Sequence, residues 1–174
     1  VFRASCVAAI LSVQPLPFLE NLNLVSGHLY MIVRISHIFW KQLDVKQGSQ
    51  VFWELIAPLG ISYAAFQGSA SMIKILLPGI GGYLFAPVSF AVSYALWKIY
   101  IMYFYYQKSG ETLSPELIKE LFKKHKYEGK RIAAERKTDI ISVGKKYSWE
   151  ILHIKKSQEF SQVQKDTIRM LRRK

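Results

Sequence analysis

Leu77-Pro78-Gly79-Ile80-Gly81-Gly82 is the sharpest punctuation in this 174-residue chain. Proline fixes its own φ and glycine admits positive φ, so the run predicts a tight turn. Apolar stretches flank it: Leu55–Ile73, 19 residues, and Ile75–Trp97, 23 residues, carry no charge. Strand-type alternation is not sustained anywhere, so the two flanks read as helices folded back on each other. Gly60, Ala64 and Gly68 recur four apart on the first arm, and Ser89 and Ser93 do so on the second. Small side chains at that spacing let two helix backbones come close. The expected fold is therefore all-α, a helical bundle whose central hairpin packs through Gly60, Ala64, Gly68, Pro78, Gly79, Gly81, Gly82, Ser89 and Ser93.

Working toward the N-terminus, the first arm is expected over Val51–Ile75, preceded by a polar connection over Lys41–Gly48. Leu24, Leu29, Ile32, Ile35 and Phe39 keep the helical period over Asn21–Trp40. Val1–Val13 reads as one more helix, stopped by Gln14-Pro15-Leu16-Pro17, whose prolines remove backbone donors. Val1 is not an initiator Met and no secretory pattern follows, so the chain reads as a domain cut from a longer protein.

Toward the C-terminus the second arm should cover about Tyr83–Gln107. Ser114-Pro115-Glu116 then supplies an N-cap, a proline at the first helical position and an acid at the positive end of the dipole. In the helix they start, Leu117, Ile118, Leu121 and Phe122 form an apolar stripe with Lys119, Lys123, Lys124 and Lys126 mostly off it. Gly129 should weaken this helix, with Ile132–Arg136 continuing it. Residues 1–136 thus read as one helical domain, and residues 137–174 as a basic linker with an amphipathic tail helix.

Charge follows the same division. Residues 1–108 hold 7 Lys or Arg and 3 Asp or Glu, whereas residues 109–174 hold 17 and 9. The formal net charge of +12 favours an anionic partner. Lys98, Tyr100, Tyr103, Tyr105, Tyr106 and Lys108 resemble an interfacial belt of amphipathic rings and snorkelling lysines. With Lys123, Lys124, Lys155, Lys156, Arg169, Arg172 and Arg173 they make the expected surface toward an anionic membrane or a protein partner. Nucleic acid is disfavoured, because the basic tail lies in no recognition motif.

Chemistry is sparse. Neither Gly129-Lys130 nor Gly144-Lys145 has the frame of a phosphate loop, and the 77–82 run lacks the strand a dinucleotide fingerprint needs. Cys6, the only cysteine, stands in an apolar run that works against a thiolate and permits no internal disulfide. None of the four histidines, His28, His37, His125 and His153, pairs at metal-ligand spacing. No catalytic residue, metal or cofactor is therefore expected. An enzyme reading would need a cleft gathering dispersed groups such as His28, His37 and Glu54.

Gln14-Pro15-Leu16-Pro17, Tyr30-Met31-Ile32-Val33-Arg34-Ile35, Leu77-Pro78-Gly79-Ile80-Gly81, Ser93-Tyr94-Ala95-Leu96 and Tyr103-Phe104 before Ser109-Gly110 occur in an order that resembles the YcjF-like helical domain, domain of unknown function 697. The resemblance covers about Ala4 to Ala134. Trp40 and Trp97 depart from it, standing where small residues are expected. It implies a regulatory or membrane-linked accessory to a GTPase in cis or trans, and carries over no catalytic residue. The expected function is a non-catalytic accessory domain linking a GTPase to the cytoplasmic membrane face. The rivals are a soluble interaction module docking through Leu117–Phe122 and the tail, and a small enzyme with a dispersed site.

Overall fold

The computed structural model describes residues 1–11, 19–60, 81–140 and 142, with side chains for 1–9, 25–60, 86–140 and 142. The helices are α1 (Phe2–Leu11), α2 (Leu19–Ile38), α3 (Val45–Ile56), α4 (Gly81–Lys108) and α5 (Pro115–Glu135). A 3-10 turn, Ala57–Leu59, follows α3, and residues 137–140 are helical again. No strand occurs among the described residues, and the chain is all-α.

Local chemistry accounts for the ends of these helices. At α3, Asp44 Oδ1 accepts the Gln47 N–H at 2.7 Å while Gln47 Oε1 accepts the Asp44 N–H at 3.0 Å, a closed capping box. That box starts the helix at Val45, inside what the sequence reads as a polar connection. At α5, Ser114 Oγ accepts the Leu117 N–H at 3.2 Å ahead of Pro115, as its residues predict.

The C-terminal ends of α2 and α4 are built alike. Lys41 N–H bonds to the Ser36 carbonyl and Trp40 N–H to that of His37; Glu111 N–H bonds to Tyr106 and Gly110 N–H to Gln107. Each is a Schellman turn, which needs a left-handed residue one step past the cap. Gly110 fills it at φ +77°, and Trp40 fills it at φ +61°. A side chain in that region costs roughly 1–2 kcal/mol, whereas glycine pays none of it.

Helix α4 is the centre of the bundle. With α2, α3 and α5 it encloses a core that includes Leu29, Ile32, Phe52, Leu55, Leu96, Tyr100, Phe104, Ile118 and Phe122. On another side, Cys6 and Ala9 of α1 pack with Phe90, Tyr94, Ala133 and Ile140. Burying each large apolar side chain contributes about 1.5–3 kcal/mol, so α4, buried from Ser89 to Tyr100 except at half-buried Lys98, holds the layers together.

The tightest approach described joins α4 to α5. A Cβ built on Gly129 would stand 2.8 Å from the Ala91 Cα and 3.1 Å from its carbonyl oxygen. Gly129 therefore permits the contact, and α5 runs through it to Glu135. The pairs Ala91 with Gly129 and Tyr94 with Glu128, joined by a six-residue connection, make α4 and α5 an antiparallel hairpin.

Three expectations about the glycine-proline region change. The first arm does not run as one helix through Gly60, because Pro58 lies in the 3-10 turn and Gly60 ends it exposed at φ +53°. Gly60 is thus a turn residue and not part of a packing stripe. Gly81 and Gly82 belong to the first turn of α4 and not to the corner before it. Ser89 and Ser93 are buried, as a packing face requires. Ala64, Gly68, Pro78 and Gly79 lie outside the described residues.

Candidate interaction surface

Two polar networks cross the helix interfaces. In the first, Tyr94 Oη donates to Glu128 Oε1 at 2.8 Å and His125 Nδ1 lies 3.0 Å from Glu128 Oε2. The bond from His125, then that from Tyr94, holds the Glu128 carboxyl below its usual range. Burial first, and the facing carboxylate second, push the Tyr94 phenol up to about 12. A phenol so weakened as an acid acts as a fixed donor, and the triad clamps α4 to α5 next to the Ala91–Gly129 contact.

The second network ties three elements near the C-terminal end of α4. Lys41 Nζ donates to Gln107 Oε1, Gln107 Nε2 to Tyr103 Oη at 2.6 Å, and Tyr103 Oη to Glu54 Oε2 at 3.1 Å. Burial, then the charge of Glu54, raises the Tyr103 phenol to about 12.

The groups an enzyme reading needs are scattered. His28 is enclosed by the rings of Phe52, Trp97 and Tyr100 at centroid distances of 6.1, 5.3 and 5.7 Å, and burial lowers its pKa to about 4. His37 is exposed near the end of α2, and Glu54 is engaged by Tyr103. Burial likewise raises the Cys6 thiol to about 11. No group of three or more His, Cys, Asp or Glu that could hold a metal ion occurs among the described residues. Trp97, expected to crowd a close contact, is accommodated in the core against His28 and Tyr100.

The expected tyrosine belt is corrected by the helical period. Tyr100 and Tyr103 point inward, 0% and 7% exposed, so neither presents its ring to a surface. Outward stand Ile101, Tyr105 and Lys108, at i, i+4 and i+7, while Tyr106 and Lys98 are half-buried. Lys98 holds its ammonium 5.6 Å above the Tyr94 ring. The Leu117–Phe122 stripe, expected to dock a partner, is spent inside the chain: Ile118, Leu121 and Phe122 are buried and Leu117 packs against them. Lys123 and Lys124 are exposed, and Lys155, Lys156, Arg169, Arg172 and Arg173 lie outside the described residues.

Two surface features remain. A groove of about 270 Å³ runs between the 3-10 turn and α5, with Pro58, Leu59 and Phe122 as apolar lining and Lys119, Lys123 and Lys126 around them. The second is the end of the bundle where α2 and α4 both terminate. Phe39 stacks on Phe104 at 6.0 Å and Lys41 bonds Gln107, which fixes the backbone on either side of Trp40. Trp40 is 88% exposed and Ile38 72%. Periodicity hides this site, because both residues follow the last inward position of α2. The signal available was Trp40 at a place where the resemblance to the YcjF-like domain implies a small residue.

Among the described residues, no helix is long and apolar enough to cross a membrane. No family model matches the chain, and no solved structure matches it. The chain is similar to magnetosome membrane protein 22 of Magnetospirillum gryphiswaldense, 26% identical over 136 residues that make up 75% of this chain and 68% of that protein.

Proposed function

We propose that this chain is a non-catalytic helical accessory domain that works at the anionic cytoplasmic face of a membrane, coupled in cis or trans to a GTPase. The observation that carries the membrane part is the groove in which Lys119, Lys123 and Lys126 surround the apolar side chains of Pro58, Leu59 and Phe122. Cations rimming an apolar lining suit a ligand that is anionic at one end and apolar at the other, which describes an acidic lipid. The similarity to a protein named for a membrane supports the same reading. The GTPase part rests on the resemblance to the YcjF-like domain.

Flotation of the full chain with phosphatidylglycerol-containing vesicles tests the membrane part. Binding at low salt that weakens as salt rises is expected, because the attraction between lysines and headgroups is screened. A chain that stays at the bottom of the gradient at both salt concentrations removes the reading. The GTPase part is tested on the reading frame that encodes Val1–Lys174 and its neighbours. A nucleotide-binding domain absent from all of them removes the coupling and leaves the membrane part standing.

A further inference from the structure

Trp40 is in a conformation that its turn does not ask of a tryptophan. The equivalent turn after α4 uses Gly110, and the two turns sit at the same end of the bundle. Glycine would satisfy the geometry of both without strain. The indole is also the most exposed large apolar side chain among the described residues, with Ile38 beside it and Tyr105 62% exposed at the end of α4. Among the described residues, nothing in the packing therefore accounts for the side chain at position 40.

The tip is nevertheless held firmly. The Phe39–Phe104 stack and the relay from Lys41 through Gln107 and Tyr103 to Glu54 fix its two sides. A turn whose flanking residues are already held needs little further ordering of its backbone on entering another phase. Arg34, Lys41, Lys46 and Lys108 stand on the segments around it, against Asp44, Glu54 and Glu111. Of those three acids, Asp44 already accepts the Gln47 N–H as the cap of α3, and Glu54 accepts from Tyr103. The tip is apolar and exposed, and an exposed apolar turn with cationic side chains around it fits a soft anionic surface, which needs no preformed pocket to receive it.

We infer that the 38–41 corner is the element that enters the membrane, with Trp40 and Ile38 seated at the boundary between headgroups and acyl chains of an anionic bilayer, Tyr105 beside them, and Arg34, Lys41 and Lys108 against lipid phosphates. This rests on the membrane reading above and adds a second point of contact, separate from the groove on α5.

The test compares the full chain with Trp40→Gly and Trp40→Ala on phosphatidylcholine vesicles with and without phosphatidylglycerol. Tyr127→Ala is the control, since Tyr127 is 75% exposed on α5, away from the tip. Trp40→Gly is expected to weaken vesicle binding about tenfold through the lost apolar contact. The same variant should raise the thermal midpoint, because glycine relieves the left-handed strain, and Tyr127→Ala should bind as the parent does. In the parent, quenching by spin-labelled lipid should exceed that in Trp40→Gly. If the parent fails to float, the membrane reading falls and takes this inference with it. If the parent and Trp40→Gly float equally, the tip assignment is overturned and the membrane reading stands. Self-association that depends on Trp40 without vesicles, seen by analytical ultracentrifugation, would also overturn it.

Discussion

Replacing Gly129 by alanine should destabilise the protein, against what helix propensity alone predicts. Inside a helix, Gly→Ala is worth about 1 kcal/mol in favour of alanine. Gly129, however, is buried where α5 meets α4, and the added Cβ would stand 2.8 Å from the Ala91 Cα. Main-chain atoms cannot rotate away as a long side chain can, so the helices must separate. Overpacking of that kind costs about 1–3 kcal/mol. After the propensity gain is subtracted, the net loss is about 1 kcal/mol, which for a chain of this size lowers the thermal midpoint by roughly 3 °C. Urea unfolding followed by circular dichroism measures it. Because the close atoms are the Ala91 Cα and carbonyl oxygen, Ala91→Gly in the Gly129→Ala background should not restore the loss. A Gly129→Ala protein more stable than the parent by about 1 kcal/mol would refute the reasoning, since it would mean α4 and α5 do not approach there.

Acid should weaken the fold through His28, whose burial keeps it neutral down to a pKa of about 4. The unfolded chain takes up that proton near pH 6.5, so the stabilising contribution is whole above about 6.5 and is lost as pH falls toward about 4, roughly 3 kcal/mol in all. His28→Leu should flatten the stability profile over that window, and an unchanged slope would place His28 in water. Cys6 is buried with its thiol pushed up to about 11, so it should resist a thiol reagent at neutral pH until denaturant is added. Prompt labelling of the native protein would show α1 away from α4.

The residues themselves determined the local signals. Ser114-Pro115-Glu116 starts α5 because a hydroxyl cap, a missing N–H and an acid all act within one turn, and no distant contact is needed. The three-and-four spacing of apolar residues likewise announced α2, and a long uncharged apolar run without sustained alternation announced α4. Even the box that starts α3, Asp44 with Gln47, is legible within four residues, although the segment around it is polar.

Only the tertiary structure decided which face of each helix turns inward. Four tyrosines between positions 100 and 106 look alike in sequence, yet Tyr100 and Tyr103 fill the core while Tyr105 stands outside. Gly129 counts as a weak point until Ala91 is seen against it, and Trp40 counts as part of a helix until its turn places it at positive φ. The physical reason is range: caps and periods act over one or two turns of backbone, whereas burial, close approach and exposure depend on what another segment, distant in the chain, brings alongside.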